Sequence, residues 1–150
     1  MVKRIISGGQ TGADRGGLDA AIELGIEHGG HCPKGRVAED RRIPDKYYLT
    51  ETRSRGYTQR TRLNVQNSDA TLIFALEGMT PGSAFTQRCC EQFRKPYLIL
   101  IVYEDPGIVR DWLASWKVET LNVAGSRESK CPGIQARVKR VLCEALRRST

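Results

Sequence analysis

Two stretches of the chain combine glycines with residue types that can grip an anion. The first, Ser7-Gly8-Gly9-Gln10-Thr11-Gly12-Ala13-Asp14, follows the apolar pair Ile5-Ile6 and runs into Arg15-Gly16-Gly17-Leu18-Asp19-Ala20-Ala21-Ile22. Its glycines permit positive φ and close backbone approach, so main-chain amides and a helix N-terminus can converge on one point, which is how a phosphate is cradled. The spacing fits neither Gly-x-Gly-x-x-Gly nor the lysine-bearing P-loop, so it specifies neither a dinucleotide nor a nucleoside triphosphate. A tight strand-to-helix connection without ligand is the plainer reading of this turn alone. The second stretch, Glu77-Gly78-Met79-Thr80-Pro81-Gly82-Ser83, is another glycine-rich turn ahead of another helix. Two such turns on one crevice make a bipartite anion site that is harder to dismiss.

Charge gives the turns a context. The 150-residue chain has a formal net charge of +7, concentrated in two blocks. Residues 34 to 62 hold nine Lys/Arg against four Asp/Glu, and residues 127 to 150 hold seven against two. The C-terminal block reads as the solvated face of a helix. The middle block follows the second strand, where Lys34-Gly35-Arg36 can overhang the first turn and neutralise phosphate. Such a loop suits a phosphorylated small molecule as well as a polynucleotide. Few aromatics interleave its arginines, which argues against a single-strand stacking platform, and nucleic acid is not the expected partner.

Other chemistry is thin. His28-Gly-Gly-His31-Cys32 has metal-ligand types, but i and i+3 point to opposite sides of a strand, so no metal site is expected. With only two histidines, no Ser–His–Asp or Cys–His arrangement can be assembled, and no catalytic residue is assigned. Cys32, Cys89, Cys90, Cys131 and Cys143 are an odd set without Cys-x-x-Cys and read as reduced thiols in a reducing compartment. No apolar run is long enough for a bilayer, and Met1 leads directly into a strand, so a cytoplasmic protein without membrane association is expected.

The elements that must position these residues alternate strand and helix. Val2–Ile6 reads as a strand and the stretch through Ile22 as a helix ending at Gly25. A short strand is expected within 26–32, then a long polar loop to about Gly56, of a length more often functional than idle. Tyr57–Ser68 reads as a helix whose Thr61, Asn64 and Ser68 share a polar face that looks toward the site. Ala70–Leu76 is an apolar strand, followed by a helix with Thr86, Cys89, Cys90 and Phe93 on one side. Tyr97–Tyr103, the most apolar strand, is expected at the sheet centre. A helix over Pro106–Lys117, carrying Trp112 and Trp116 as packing residues, a strand over Thr120–Val123 and an amphipathic last helix complete the chain. The expected fold is α/β: one Rossmann-like domain over residues 1–150, with a mostly parallel sheet and helices on both faces. Ligands of such sheets bind at the strands' carboxyl ends, and both turns border one crevice if the first strand neighbours Ala70–Leu76.

In this order the motifs carry a family resemblance. Ser7-Gly-Gly-Gln-Thr-Gly-Ala-Asp14, Cys32-Pro-Lys-Gly35 with Ala38-Glu-Asp40, Gln59-Arg-Thr61, Asn64-Val65 with Ser68-Asp-Ala-Thr-Leu-Ile73, and Thr80-Pro-Gly-Ser83 resemble the molybdenum cofactor carrier proteins. These are relatives of the lysine-decarboxylase-like phosphoribohydrolases and the DprA/Smf-type proteins within a Rossmann-like superfamily. The resemblance runs from about Lys3 to Pro96. It implies a homo-oligomer, dimer or tetramer, that holds molybdenum cofactor, a phosphorylated pterin dithiolene complex, as cargo. Gly8, Gly9, Gln10, Thr11 and Gly12 then supply donors to an anion, and Thr80, Pro81, Gly82, Ser83 and Thr86 form a second wall. Lys34, Gly35 and Arg36 add the basic loop. Asp14 either bonds a pterin N–H edge or caps the first helix.

The hydrolase relatives carry Pro-Gly-Gly-x-Gly-Thr-x-x-Glu. Here Pro81-Gly82-Ser83-Ala84-Phe85-Thr86-Gln87-Arg88-Cys89 places a cysteine where that glutamate belongs, and Glu91 lies about 200° further round the helix. The departure argues against nucleotide hydrolysis. A nucleotide-binding sensor is the alternative to a carrier.

Overall fold

The computed structural model describes residues 1–101 and 105–147. Five parallel strands form the central sheet: β1 (Arg4–Ile6), β2 (Glu27–Gly29), β7 (Ala70–Phe74), β8 (Tyr97–Leu100) and β9 (Thr120–Gly125), in the order β2-β1-β9-β7-β8. Five helices connect or flank them: α1 (Ala13–Leu24), α2 (Tyr57–Gln66), α3 (Pro81–Gln92), α4 (Pro106–Ser115) and α5 (Ile134–Leu146). The expected α/β architecture is present.

Strand order follows from the crossovers. α1 carries the chain from β1 outward to β2, and α3 carries it from β7 outward to β8 in the opposite direction. Right-handed connections therefore place α1 and α3 on opposite faces. α4 returns from β8 to β9 in the sense of α1, and α1, α5 and α4 pack side by side, whereas α2 packs with α3. The connections thus diverge around β9, leaving a crevice at the carboxyl ends of β1, β9 and β7.

Two expectations about the sheet are corrected. β9 separates β1 from β7: Ile5 and Ala70 both pair with Leu121. Both glycine turns still border one crevice, with the end of β9 as its floor. The apolar strand from Tyr97 is an edge strand rather than a central one, and its residues 102 and 103 lie outside the described residues. β7 is buried at all five positions, while Tyr97, Leu98 and Ile99 are half-buried. Apolarity reflects how both faces are covered, not a strand's rank in the sheet.

The core is built from Ile5, Leu72, Phe74, Leu121 and Val123 of the sheet with Val138, Val141 and Leu142 of α5. Trp112 packs against it, but Trp116 ends α4 and is 57% exposed, so it is not the packing residue expected. The adjacent cysteines are core as anticipated, with Val65 of α2 against Cys89 and Cys90 of α3. All five cysteines are free and buried.

The anticipated second strand breaks at Gly30, whose φ of 120° and contact with the Ser7 backbone leave no space for a Cβ. β2 ends there and β3 (His31–Cys32) begins a separate parallel pair with β6 (Thr50–Glu51). The long polar loop also holds a single turn of 3-10 helix (Lys34–Arg36) and the hairpin of β4 (Val37–Ala38) and β5 (Arg41–Arg42).

Candidate functional site

The first glycine turn is closed on itself. Gly12 ends it with φ 85° and ψ −128°, a conformation only glycine adopts readily, and α1 has no side-chain cap. Asp14 is therefore not the helix cap. Its Oδ2 accepts the Gln10 amide at 3.2 Å, and Gln10 Oε1 in turn accepts the Thr11 amide at 3.1 Å and the Glu39 amide at 2.9 Å. The Gly9 amide is taken by Ser7 Oγ at 3.3 Å. Thr11 Oγ1 donates to Glu39 and accepts the Glu128 amide. A carboxylate of the chain thus occupies the place where a ligand anion was expected. Gly9, Thr11 and Gly12 do not line the crevice, whereas Gly8, Gln10 and Asp14 do.

The loop over the turn is likewise structural. Arg15 donates through Nε to the Gly9 carbonyl at 2.9 Å and grips Asp40 with both terminal nitrogens at 2.6 and 2.8 Å. These bonds hold the Asp40 carboxyl below the usual range. Arg36 points inward and donates to the carbonyls of Ile43, Pro44 and Tyr47, stitching the loop together. Lys34 and Gly35 are exposed and, like Arg36, lie outside the crevice. The structure thus places none of Lys34, Gly35 and Arg36 on the lining of the crevice, and the Arg36 guanidinium is engaged within the loop.

The crevice has a volume of about 570 Å³, within the range of small-molecule sites. Its second wall is the one expected: Thr80, Pro81, Gly82, Ser83 and Thr86 all line it. Thr80 caps α3 by accepting the Ser83 amide at 3.1 Å, and Pro81 fills the first helical position where no N–H is needed. Thr80 also donates its hydroxyl to Ser83 Oγ, leaving the Ser83 proton to be given elsewhere. Thr86 donates to the Gly82 carbonyl at 3.0 Å. A Cβ on Gly82 would meet nothing closer than Thr80 Oγ1 at 3.9 Å, so this rim is open.

The cations come from elements to which the sequence reading assigned no site cation. Arg60 of α2 reaches Asp14 at 3.2 Å and lies so close over Gly8 that a Cβ there would strike its guanidinium. Arg127 and Lys130, in the segment after β9, complete the positive rim. Arg60 and Arg127 each sit 5.1 Å from the centroid of the Tyr57 ring. Thr61 and Asn64 of α2 line the crevice as their shared face suggested, but Ser68 turns away, donating to the Val65 carbonyl. Asn122 to Gly125 of β9 form the floor.

Several groups in this region carry unspent bonding capacity. Gln10 Nε2 and Arg60 Nε, on crevice-lining residues, and Ser126 Oγ, just past the floor, are buried without a hydrogen-bond partner among the described residues. Burial pushes the Asp14 carboxyl upward against the pull of Arg60, the Gln10 amide and Arg15. A cavity lined by Arg60, Arg127 and Lys130 beside the start of α3 suits a ligand with acceptor atoms and negative charge.

A family model described as the circularly permutated YpsA SLOG family matches residues 5–146. The chain belongs to this family. None of the curated proteins matches the chain. Among solved structures, the chain is similar to a protein of Syntrophus aciditrophicus SB named "putative molybdenum carrier protein". The two are 41% identical, the alignment covers 98% of this chain and 96% of the other, and the TM-score is 0.91.

Arg60 had a usable signal, because it falls at i+3 from Tyr57 and i−4 from Asn64, on the helix face that also carries Thr61. Arg127 and Lys130 had none. They lie in an aperiodic turn-rich segment, and only the insertion of β9 between β1 and β7 brings them to the site.

Proposed function

We propose that the crevice binds and carries molybdenum cofactor, or a related phosphorylated pterin–molybdenum anion, without transforming it. The observation that carries this reading is that Arg60, Arg127 and Lys130 line one cavity with the open start of α3. The name of the Syntrophus aciditrophicus relative supports the cargo class. Gly82, Ser83 and the rim cations would hold phosphate or oxo groups, and Gln10 Nε2 would meet an acceptor on the buried side. The helix terminus and its partial positive charge contribute about 1 kcal/mol. Cys89, at the position of the hydrolases' glutamate, is 2% exposed and packs in the core, which supports binding rather than turnover.

The test is anaerobic incubation with molybdenum cofactor, gel filtration, and quantification of co-eluting pterin and molybdenum, with AMP as competitor. Stoichiometric pterin and molybdenum that AMP does not displace is the expected result. Empty fractions, or displacement by AMP, would favour a nucleotide-binding module instead.

A further inference from the structure

The rim arginine nearest the first turn already has an anion. Asp14 is the one Asp or Glu among the residues lining the cavity, and its side chain is 8% exposed. Its partner Arg60 is 13% exposed, donates Nη1 at 3.2 Å, and makes no other hydrogen bond among the described residues. A guanidinium has five N–H donors. Most of the bonding capacity of Arg60 is therefore unspent, and it faces a cavity whose other cations are Arg127 and Lys130.

We propose that Arg60 is a shared ligand, held by Asp14 in the free protein and drawn to the anion in the complex, and that Asp14 takes up a proton from solvent as the anion binds. The inference rests on the reading above that the crevice takes an anion. An entering anion removes part of the counter-charge from Asp14 and adds a like charge beside it, and both effects favour the neutral acid. Protonated Asp14 fits the same bonds. One oxygen still accepts the Gln10 amide, and the new O–H has the anion to donate to.

The other carboxyls coupled to these cations, Glu39 beside Arg127 and Asp40 held by Arg15, both lie below the usual range and stay ionised in the free protein. Arg15 acts on Asp14 from its own helix, Arg60 from α2, and Arg127 and Lys130 line the cavity from the segment after β9. Gln10 from the first turn and Asn122 from β9 are neutral. Neither His28 nor His31 lines the cavity. His28 stacks on Tyr48 and accepts its amide.

Calorimetric titration of the whole protein with sulfate, and separately with molybdate, tests this between about pH 5 and pH 8 in buffers of differing ionisation enthalpy. Sulfate keeps its two charges across that range, so any proton taken up enters the protein. The parent is expected to take up a proton on binding, with affinity weakening as pH rises by up to about tenfold per pH unit. Asp14→Asn keeps an acceptor for the Gln10 amide. It should bind without proton uptake, with a flat pH profile, and more tightly than the parent at the upper end of the range. No buffer-dependent heat in the parent, or the same pH slope in both proteins, would overturn the proposal. Absence of binding by both proteins at every pH would instead remove the anion-binding crevice on which it rests.

Discussion

Asp14 Oδ2 accepts the main-chain amide of Gln10 at 3.2 Å, so the chain's own carboxylate fills the glycine turn that a phosphate would otherwise enter. The two glycine-rich turns consequently have different tasks. The first is a scaffold that presents Asp14 and Gln10, and the second, at the start of α3, is an open wall of the crevice.

The division of labour predicts opposite outcomes for two glycines. In Gly12→Ala the Cβ would strike the Ser126 carbonyl and the Glu128 amide, at a φ of 85°. A loss of about 2 kcal/mol or more in denaturant unfolding is expected. Gly82→Ala adds a methyl in open space on a helix, and its stability should stay within about 1 kcal/mol of the parent or rise.

Arg36 and Lys34 should separate in the same way. Arg36→Ala removes the donors to three loop carbonyls, each charged hydrogen bond being worth about 1.5–3 kcal/mol, and should raise amide exchange across residues 37–47. Arg36→Lys should not restore protection, because an ammonium cannot reproduce the planar fork. Lys34→Ala should leave both amide exchange and anion affinity unchanged, as its exposed side chain lies outside the crevice.

Much of this architecture is legible in the residues themselves. Periodicity locates α3 and α5, because each buries one stripe, and the continuous run Ala70–Phe74 announces a strand covered on both faces. Strand order is not legible, since β9 is inserted by the return of α4, which no local pattern encodes. The same cause hides Arg127 and Lys130. Arg36 misleads for a different reason: an arginine in a basic loop reads as free to meet an anion, and only the fold reveals three carbonyls converging on it.

Stability should depend on pH through Asp14. Its carboxyl is raised by burial, so the native state holds the proton more tightly than the unfolded chain does. The parent should lose stability relative to Asp14→Asn as pH rises from about 4, the unfolded value, through the raised native value, with a constant difference beyond. Paired urea titrations across that window check it; a difference that shrinks with rising pH would contradict the sign.

The cysteines should be slow to react in the native protein. Burial pushes the Cys90 and Cys143 thiols up to about 11, and Cys32, Cys89 and Cys131 are also raised. Near pH 8 a disulfide-exchange reagent should titrate few thiols until denaturant is added, because the thiolate is the reacting form.

The proposed cargo site lies between the α3 N-terminus and the cations of α2 and the segment after β9. Gly82→Leu tests it most directly, because the added side chain enters open space at the rim and not the core. Cofactor retention is measured anaerobically by gel filtration beside the parent, with Arg127→Gln/Lys130→Gln as a charge-removing companion and unfolding curves as the control for folding. The account predicts parent-like unfolding with pterin and molybdenum lost from Gly82→Leu and reduced about tenfold or more in affinity for the double variant. Full retention by both folded variants would contradict it.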